Sequence, residues 1–172
     1  MTALPGTPLI LTAEMPGDLH AWANGLRRAH FPSERNVLDA HVTLFHALPP
    51  SCEAEIGERC AAMARVYPPV AARLEGLMRL GRGTALKLNS PAMLALRDEL
   101  ADRFHGLLTP QDEHRPRLHV TIQNKVSLEE AKALQAWLAP QVHPRAFAFT
   151  GLALHAYCGG PWEFLKRWSF RG

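Results

Sequence analysis

The chain has few cysteines, no long apolar run and no strong excess of one charge, and each shortage removes a class of protein. Cys52, Cys60 and Cys158 are the only three cysteines in 172 residues, an odd and scattered set without a CxxC pair. That argues against a disulfide framework and for reduced thiols in the cytoplasm. No apolar stretch approaches the roughly 20 residues of a membrane-spanning helix. MTALPGTPLILTAEM places no basic leader before its short apolar run, so neither a signal peptide nor a membrane partner is expected. HExxH, HxHxH and Cys/His clusters of zinc-like spacing are missing in spite of nine histidines, as is GxxxxGK[ST]. Metal catalysis, ATP-dependent ligation and any other cofactor are therefore not expected. The net charge of +3 and a pI near 9.0 favour phosphate-bearing ligands only weakly. What remains is a globular chain, 47% hydrophobic, with no low-complexity run or long linker to divide it. One domain over residues 1–172, with no obligate protein partner, is the expectation.

The local patterns alternate between helix and strand. PLILTAEM reads as a strand closed by Pro16-Gly17, and DLHAWANGLRRAH as an amphipathic helix with Leu19, Trp22 and Leu26 on its apolar face and Asp18 at its N-cap. SCEAEIGERCAAMARVY reads as a second helix, with Ser51 as cap and Ile56, Cys60 and Met63 buried. AARLEGLMRL and TALKLN form a strand pair around GRG, and Ser90-Pro91 opens a third helix. TPQDEHRPR reads as a loop, and SLEE as a capping box, with Ser127 and Glu130, for a further helix. RAFAFTGLALHAYCGGPWEFLKRWSF reads as two strands joined at Gly-Gly-Pro. Helices interleaved with hairpins imply an α+β fold with largely antiparallel sheets.

Two tetrapeptides carry the chemistry: His41-Val42-Thr43-Leu44 and His119-Val120-Thr121-Ile122. In a strand, alternate side chains share a face, so each copy presents an imidazole and a hydroxyl together over an apolar back. Each copy is flanked by helices, which suggests two interleaved lobes about a pseudo-two-fold axis with both motifs in one cleft. One imidazole then accepts a proton from a nucleophile and the other donates one to a leaving oxygen, as in-line phosphodiester cleavage requires. Thr43 and Thr121 would donate to the non-bridging phosphate oxygens.

The paired H-V-T-L and H-V-T-I motifs resemble those of the two-histidine (2H) phosphoesterase superfamily, which includes bacterial 2'-5' RNA ligase-like proteins and cyclic phosphodiesterases. The resemblance spans the chain in length and element order, and its specificity rests on the two tetrapeptides. It implies a bilobal α+β fold with His41, Thr43, His119 and Thr121 lining the cleft. It also implies metal-independent hydrolysis or transesterification of 2',3'-cyclic or 2'-5' linked phosphodiesters in nucleotides or RNA ends. Many members carry proline before the motif histidine, where this chain has Ala40 and Leu118.

Further substrate contacts are expected from residues near the motifs. Phe45 and Gln123, two past each threonine, stay on the cleft face, to contact substrate or to pack the cleft floor, and His46 lies on the opposite face by parity. Arg115, Arg117 and Lys125 bracket the second motif and suit an anionic substrate. Tyr157 and Trp162 flank the Gly-Gly-Pro turn and are placed to stack on a base or to pack the hairpin. Arg82 and Lys87 on the middle strand pair have no assigned role. A non-catalytic RNA- or nucleotide-binding module using the same cleft is the competing reading.

Overall fold

The computed structural model describes residues 6–172. Its elements are β1 (Leu9–Glu14), α1 (Gly17–His30), β2 (Val42–Leu48), α2 (Glu53–Val66), β3 (Val70–Arg79), β4 (Thr84–Asn89), α3 (Pro91–Arg103), α4 (Pro110–Glu113), β5 (His119–Gln123), α5 (Leu128–Leu138), β6 (Arg145–Phe149), β7 (Gly151–Tyr157) and β8 (Trp162–Ser169). The strands form two four-stranded antiparallel sheets, ordered β2-β1-β7-β8 and β5-β4-β3-β6, so the fold is α+β. Among the described residues no helix is long and apolar enough to cross a membrane.

Local sequence explains most of these elements. Ser90 caps α3 by accepting from the Met93 amide at 3.1 Å, with Pro91 at the first helical position. Ser127 caps α5 through the Glu130 amide at the same distance. Cys60 is fully buried in α2 with Ile56 and Ala64, and burial pushes its thiol up to about 12, which leaves it unreactive. Met63 sits at the margin of that face.

Several expectations are corrected. Pro16, not Asp18, occupies the N-cap of α1, and Asp18 pairs with Arg145 at 2.9 Å. The buried stripe of α1 is Leu19, Ala23 and Arg27, whereas Trp22 faces outward. A 3-10 turn over Pro50–Cys52 precedes α2, and Ser51 makes no cap. The segment after α3 is not all loop, because Thr109 accepts the Asp112 amide and starts α4. The C-terminal stretch holds three strands rather than two. Thr150 alone separates β6, in one sheet, from β7, in the other. Just after the break, Gly151 packs so tightly on β8 that a Cβ would run into the Trp168 carbonyl, which leaves no room for a side chain there.

The two sheets share an internal register. Thr12 and Ala13 of β1 face Thr43 and Val42 of β2, just as Ala85 and Leu86 of β4 face Thr121 and Val120 of β5. One step further, Leu11 faces Phe45 and Thr84 faces Gln123, with a register shift at the same point in both sheets. Leu44 and Ile122 are the extra residues of two equivalent β-bulges. On the far side, Thr12 faces Ala153 and Glu14 faces Gly151, matching Ala85 with Met78 and Lys87 with Gly76. Strands β1, β2 and β7 thus correspond to β4, β5 and β3.

Candidate active site

β2 and β5 are the edge strands of their sheets and touch one another, which brings the two motifs together. Val42, Leu44, Val120 and Ile122 are fully buried behind them, and Thr43 and Thr121 lie half-buried on the opposite face. His41 and His119 each make the same hydrogen bond. Nδ1 of His41 meets the Asp39 carbonyl at 2.7 Å, and Nδ1 of His119 meets the Arg117 carbonyl at 2.6 Å. A carbonyl only accepts, so each Nδ1 carries the proton and donates it. In the neutral form each Nε2 is then an acceptor with no partner among the described residues.

Two buried arginines reach from one half to the motif strand of the other. Arg27 of α1 donates to the Thr121 carbonyl at 2.8 Å and to Asn36 Oδ1 at 3.1 Å. Arg97 of α3 donates to the Leu44 carbonyl at 3.1 Å and to the Asp112 carbonyl. Each guanidinium stacks on a phenylalanine, Arg27 on Phe31 at 4.3 Å and Arg97 on Phe45 at 4.1 Å. Asn24, on α1, accepts the Ala40 amide at 2.6 Å and so holds the approach to His41. Asp112 accepts the amides of His46 and Ala47 at 2.9 and 2.8 Å. Burial pushes its carboxyl up, but bonds from the side chain and backbone of His46 and from Ala47 outweigh that and hold it below the usual carboxylate range.

The surroundings of the two histidines differ. His41 packs against Trp162 with ring centres 4.5 Å apart, and Trp162 also meets His155 at 5.4 Å. His155 Nε2 lies 3.4 Å from Thr12 Oγ1. Burial lowers the His41 pKa to about 4 against an ordinary 6.5; the bond to Asp39 opposes the shift, and the charges of Arg27, His155 and His119 add to it. Burial also lowers that of His155, with Glu14 opposing and Arg167 reinforcing. The first motif borders two cavities. One, of about 630 Å³, is lined by Thr12, Glu14, Asp39, His41, His155 and Trp162 among others. The other, of about 340 Å³, includes Thr43, His46, His114, Arg117 and His119. Among the described residues no group of three or more His, Cys, Asp or Glu side chains is arranged to hold a metal ion.

The remaining expected contacts divide. Phe45 is fully buried beneath Arg97, and Gln123 is buried with its Oε1 accepting from Thr84 at 3.0 Å. The bulges at Leu44 and Ile122 explain both, since one extra residue reverses the alternation and turns the next side chain into the core. The same reversal brings His46 to the rim of the cavity that holds Thr43 and His119. Arg117 and Arg115 line that cavity too, although Arg115 is tied to Asp98 at 2.5 Å. Lys125 lies apart, with Arg35 and Arg82, in a loop where it adopts a left-handed φ of 59°. Tyr157 is exposed at the outer end of β7, while Trp162 walls the first cavity. Thr12, Arg27, Arg97, Asp112 and His155 had no signal of their own in the sequence. His155 alternates correctly in LALHAY for a cleft face, but only the pairing of β7 with β1 shows which cleft.

Twin histidine–threonine strands on touching edges of two equivalent sheets define a protein of the two-histidine phosphoesterase type. The model of the 2'-5' RNA ligase superfamily matches residues 15–161, and the chain belongs to that superfamily. Solved structures with similar folds include TT0787 of Thermus thermophilus, 20% identical over 96% of this chain and 98% of that one, with a TM-score of 0.66. E. coli LigT complexed with NADP+ is 18% identical over 95% and 98% of the two chains, with a TM-score of 0.59. A protein described as a phosphoesterase is 19% identical over 96% and 99%, also with a TM-score of 0.59. E. coli LigT has further been solved with 3'-AMP and with ATP. No curated protein sequence matches the chain.

Proposed function

We propose that the protein is a phosphodiesterase that acts without a metal ion on 2',3'-cyclic or 2'-5' linked phosphodiesters of nucleotides or RNA ends. His41 and His119 exchange protons with the reacting oxygens, and Thr43 and Thr121 donate to the non-bridging oxygens. The observation that supports this most is the pair of Nδ1 anchors, because each leaves a single free nitrogen, Nε2, for proton transfer. The nucleotides held by E. coli LigT support a nucleotide-bearing substrate.

Burial that keeps His41 neutral suits it to the base role. In hydrolysis of a cyclic phosphate, a water oxygen bonds to phosphorus as its proton passes to His41 Nε2. The bond from phosphorus to one ribose oxygen breaks, and that oxygen takes the proton of His119 Nε2. With a ribose hydroxyl in place of water the same steps transfer the phosphoryl group to a new ester. Orientation and general acid–base catalysis are the main contributions in this scheme.

Turnover of 2',3'-cyclic nucleotides in the presence of EDTA, abolished in both His41→Ala and His119→Ala, is the expected result. A pure binding module would bind nucleotide with no turnover and keep that binding in the two variants, and this outcome would replace the catalytic reading.

A further inference from the structure

The equivalence of the two halves breaks down at one pair of positions beside the histidines. Lys87 of β4 faces His119 directly in the ladder. Cross-strand partners project to the same face, so the Lys87 side chain leaves the sheet on the same face as the second imidazole. In the first half the corresponding residue is Glu14, which follows the Ala13–Val42 pair and so falls beside His41. The correspondence is fixed on the other side too, where Glu14 and Lys87 each face a glycine.

These two residues differ in more than sign. Glu14 is bound by Arg167. Lys87 makes only a long ion pair, with Glu75 at 3.8 Å, and its side chain is 53% exposed. Lys87 and Arg117 line one cavity of about 580 Å³. Arg117 also lines the cavity holding Thr43 and His119, and it forms no ion pair among the described residues. The cavity of Lys87 and Arg117 sets these two cations against one carboxylate, Glu75, whereas the first-half cavity sets two carboxylates, Glu14 and Asp39, against one cation, Arg167, beside the rings of Trp162 and Phe164, a lining that suits an uncharged nucleoside better than a phosphate.

We infer that Lys87 and Arg117 form an accessory anion site for a second phosphate of the substrate, and that this site sets the direction in which the phosphodiester lies across the motifs. The reacting phosphate sits between the histidines, the phosphate-bearing end lies over Lys87 and Arg117, and a nucleoside occupies the cavity beside Trp162. This rests on the phosphodiesterase reading and adds to it a preference for substrates with at least two phosphates. A 5'-phosphate on a mononucleotide and the backbone phosphate of an oligonucleotide present the same chemistry.

Three substrates separate these sources: a nucleoside 2',3'-cyclic phosphate, the same compound with a 5'-phosphate, and a dinucleotide ending in a cyclic phosphate. The ratio of kcat/KM with and without the second phosphate should exceed one and shrink as salt rises. Lys87→Glu and Arg117→Glu should each lower that ratio by about tenfold or more, the worth of one charge-assisted hydrogen bond. Glu14→Gln should leave the ratio within about twofold, as expected for a group away from the second phosphate, and Lys132→Ala on α5 should leave turnover unchanged. If a charge reversal fails to fold, Lys87→Gln and Arg117→Gln measure the same ratio.

Calorimetric binding of a nucleoside 3',5'-bisphosphate against the 3'-monophosphate needs no turnover. An absence of turnover on all three substrates would therefore sink the catalytic reading while calorimetry still reports on the anion site. Equal binding of the two ligands, or a ratio unmoved by every Lys87 and Arg117 variant, would overturn the proposal.

Discussion

The two halves of the cleft are alike in backbone and unlike in surroundings. Register, bulge and imidazole anchor repeat from β1–β2 to β4–β5. Around His41 stand two more aromatic residues with hydrogen-bonding nitrogens, Trp162 and His155, together with Thr12 and Glu14. Around His119 stand Lys87 and Arg117. On the proposed reading, duplicated geometry provides a matched pair of proton-transfer groups, while unlike neighbours leave one among aromatic rings and carboxylates and the other near Lys87 and Arg117.

The most severe test of this comparison removes the imidazoles. His41→Ala and His119→Ala should each lower kcat about 10²–10⁴-fold, and the double variant should fall little further, because the two act as a unit. Steady-state kinetics on a 2',3'-cyclic nucleotide measures all three. A strong loss in one variant alone would break the equivalence of the halves.

Next come the crossed arginines. Arg27→Met and Arg97→Met should each destabilise the fold by about 2–3 kcal/mol, since each removes charge-assisted hydrogen bonds to a motif strand together with a buried stacking contact. Urea unfolding measures the loss. A much smaller effect at either position would mean that its motif strand is held by β-pairing alone. Thr43→Val and Thr121→Val should be milder in catalysis, roughly tenfold each in kcat for a lost hydroxyl donor.

A last difference between the halves is the pH dependence that His41 gives the first one. The folded-state pKa of His41, about 4, lies below its unfolded value near 6.5. The unfolded chain therefore binds the extra proton between these values, so this group's contribution to stability is complete above about 6.5 and is lost as pH falls toward 4. His41→Gln should flatten that part of the stability profile between pH 6.5 and 4. An unchanged slope in the variant would show that the ring is not desolvated.

The sequence made the motifs legible because they are local: four residues in alternation need no knowledge of the fold. The Ser90 and Ser127 caps were legible for the same reason. Alternation failed at Phe45, His46 and Gln123, where an inserted residue in each ladder reverses the faces. Nothing local marks such a bulge, because it depends on how β2 and β5 pair with strands elsewhere. Thr12, His155 and the crossed arginines were hidden for a related reason. Their roles depend on contacts up to 143 positions apart in the chain. The sheet boundary at Thr150 was equally silent, since the residues on either side read as uninterrupted strand.

That boundary has a consequence for dissection of the molecule. The chain leaves the first sheet after β2, builds the whole of the second, and returns through Thr150 to supply β7 and β8. A cut at the Asn89–Ser90 junction thus yields no autonomous lobe, for each fragment carries two of the four strands of each sheet. Split versions of this protein should work only as complementing pairs.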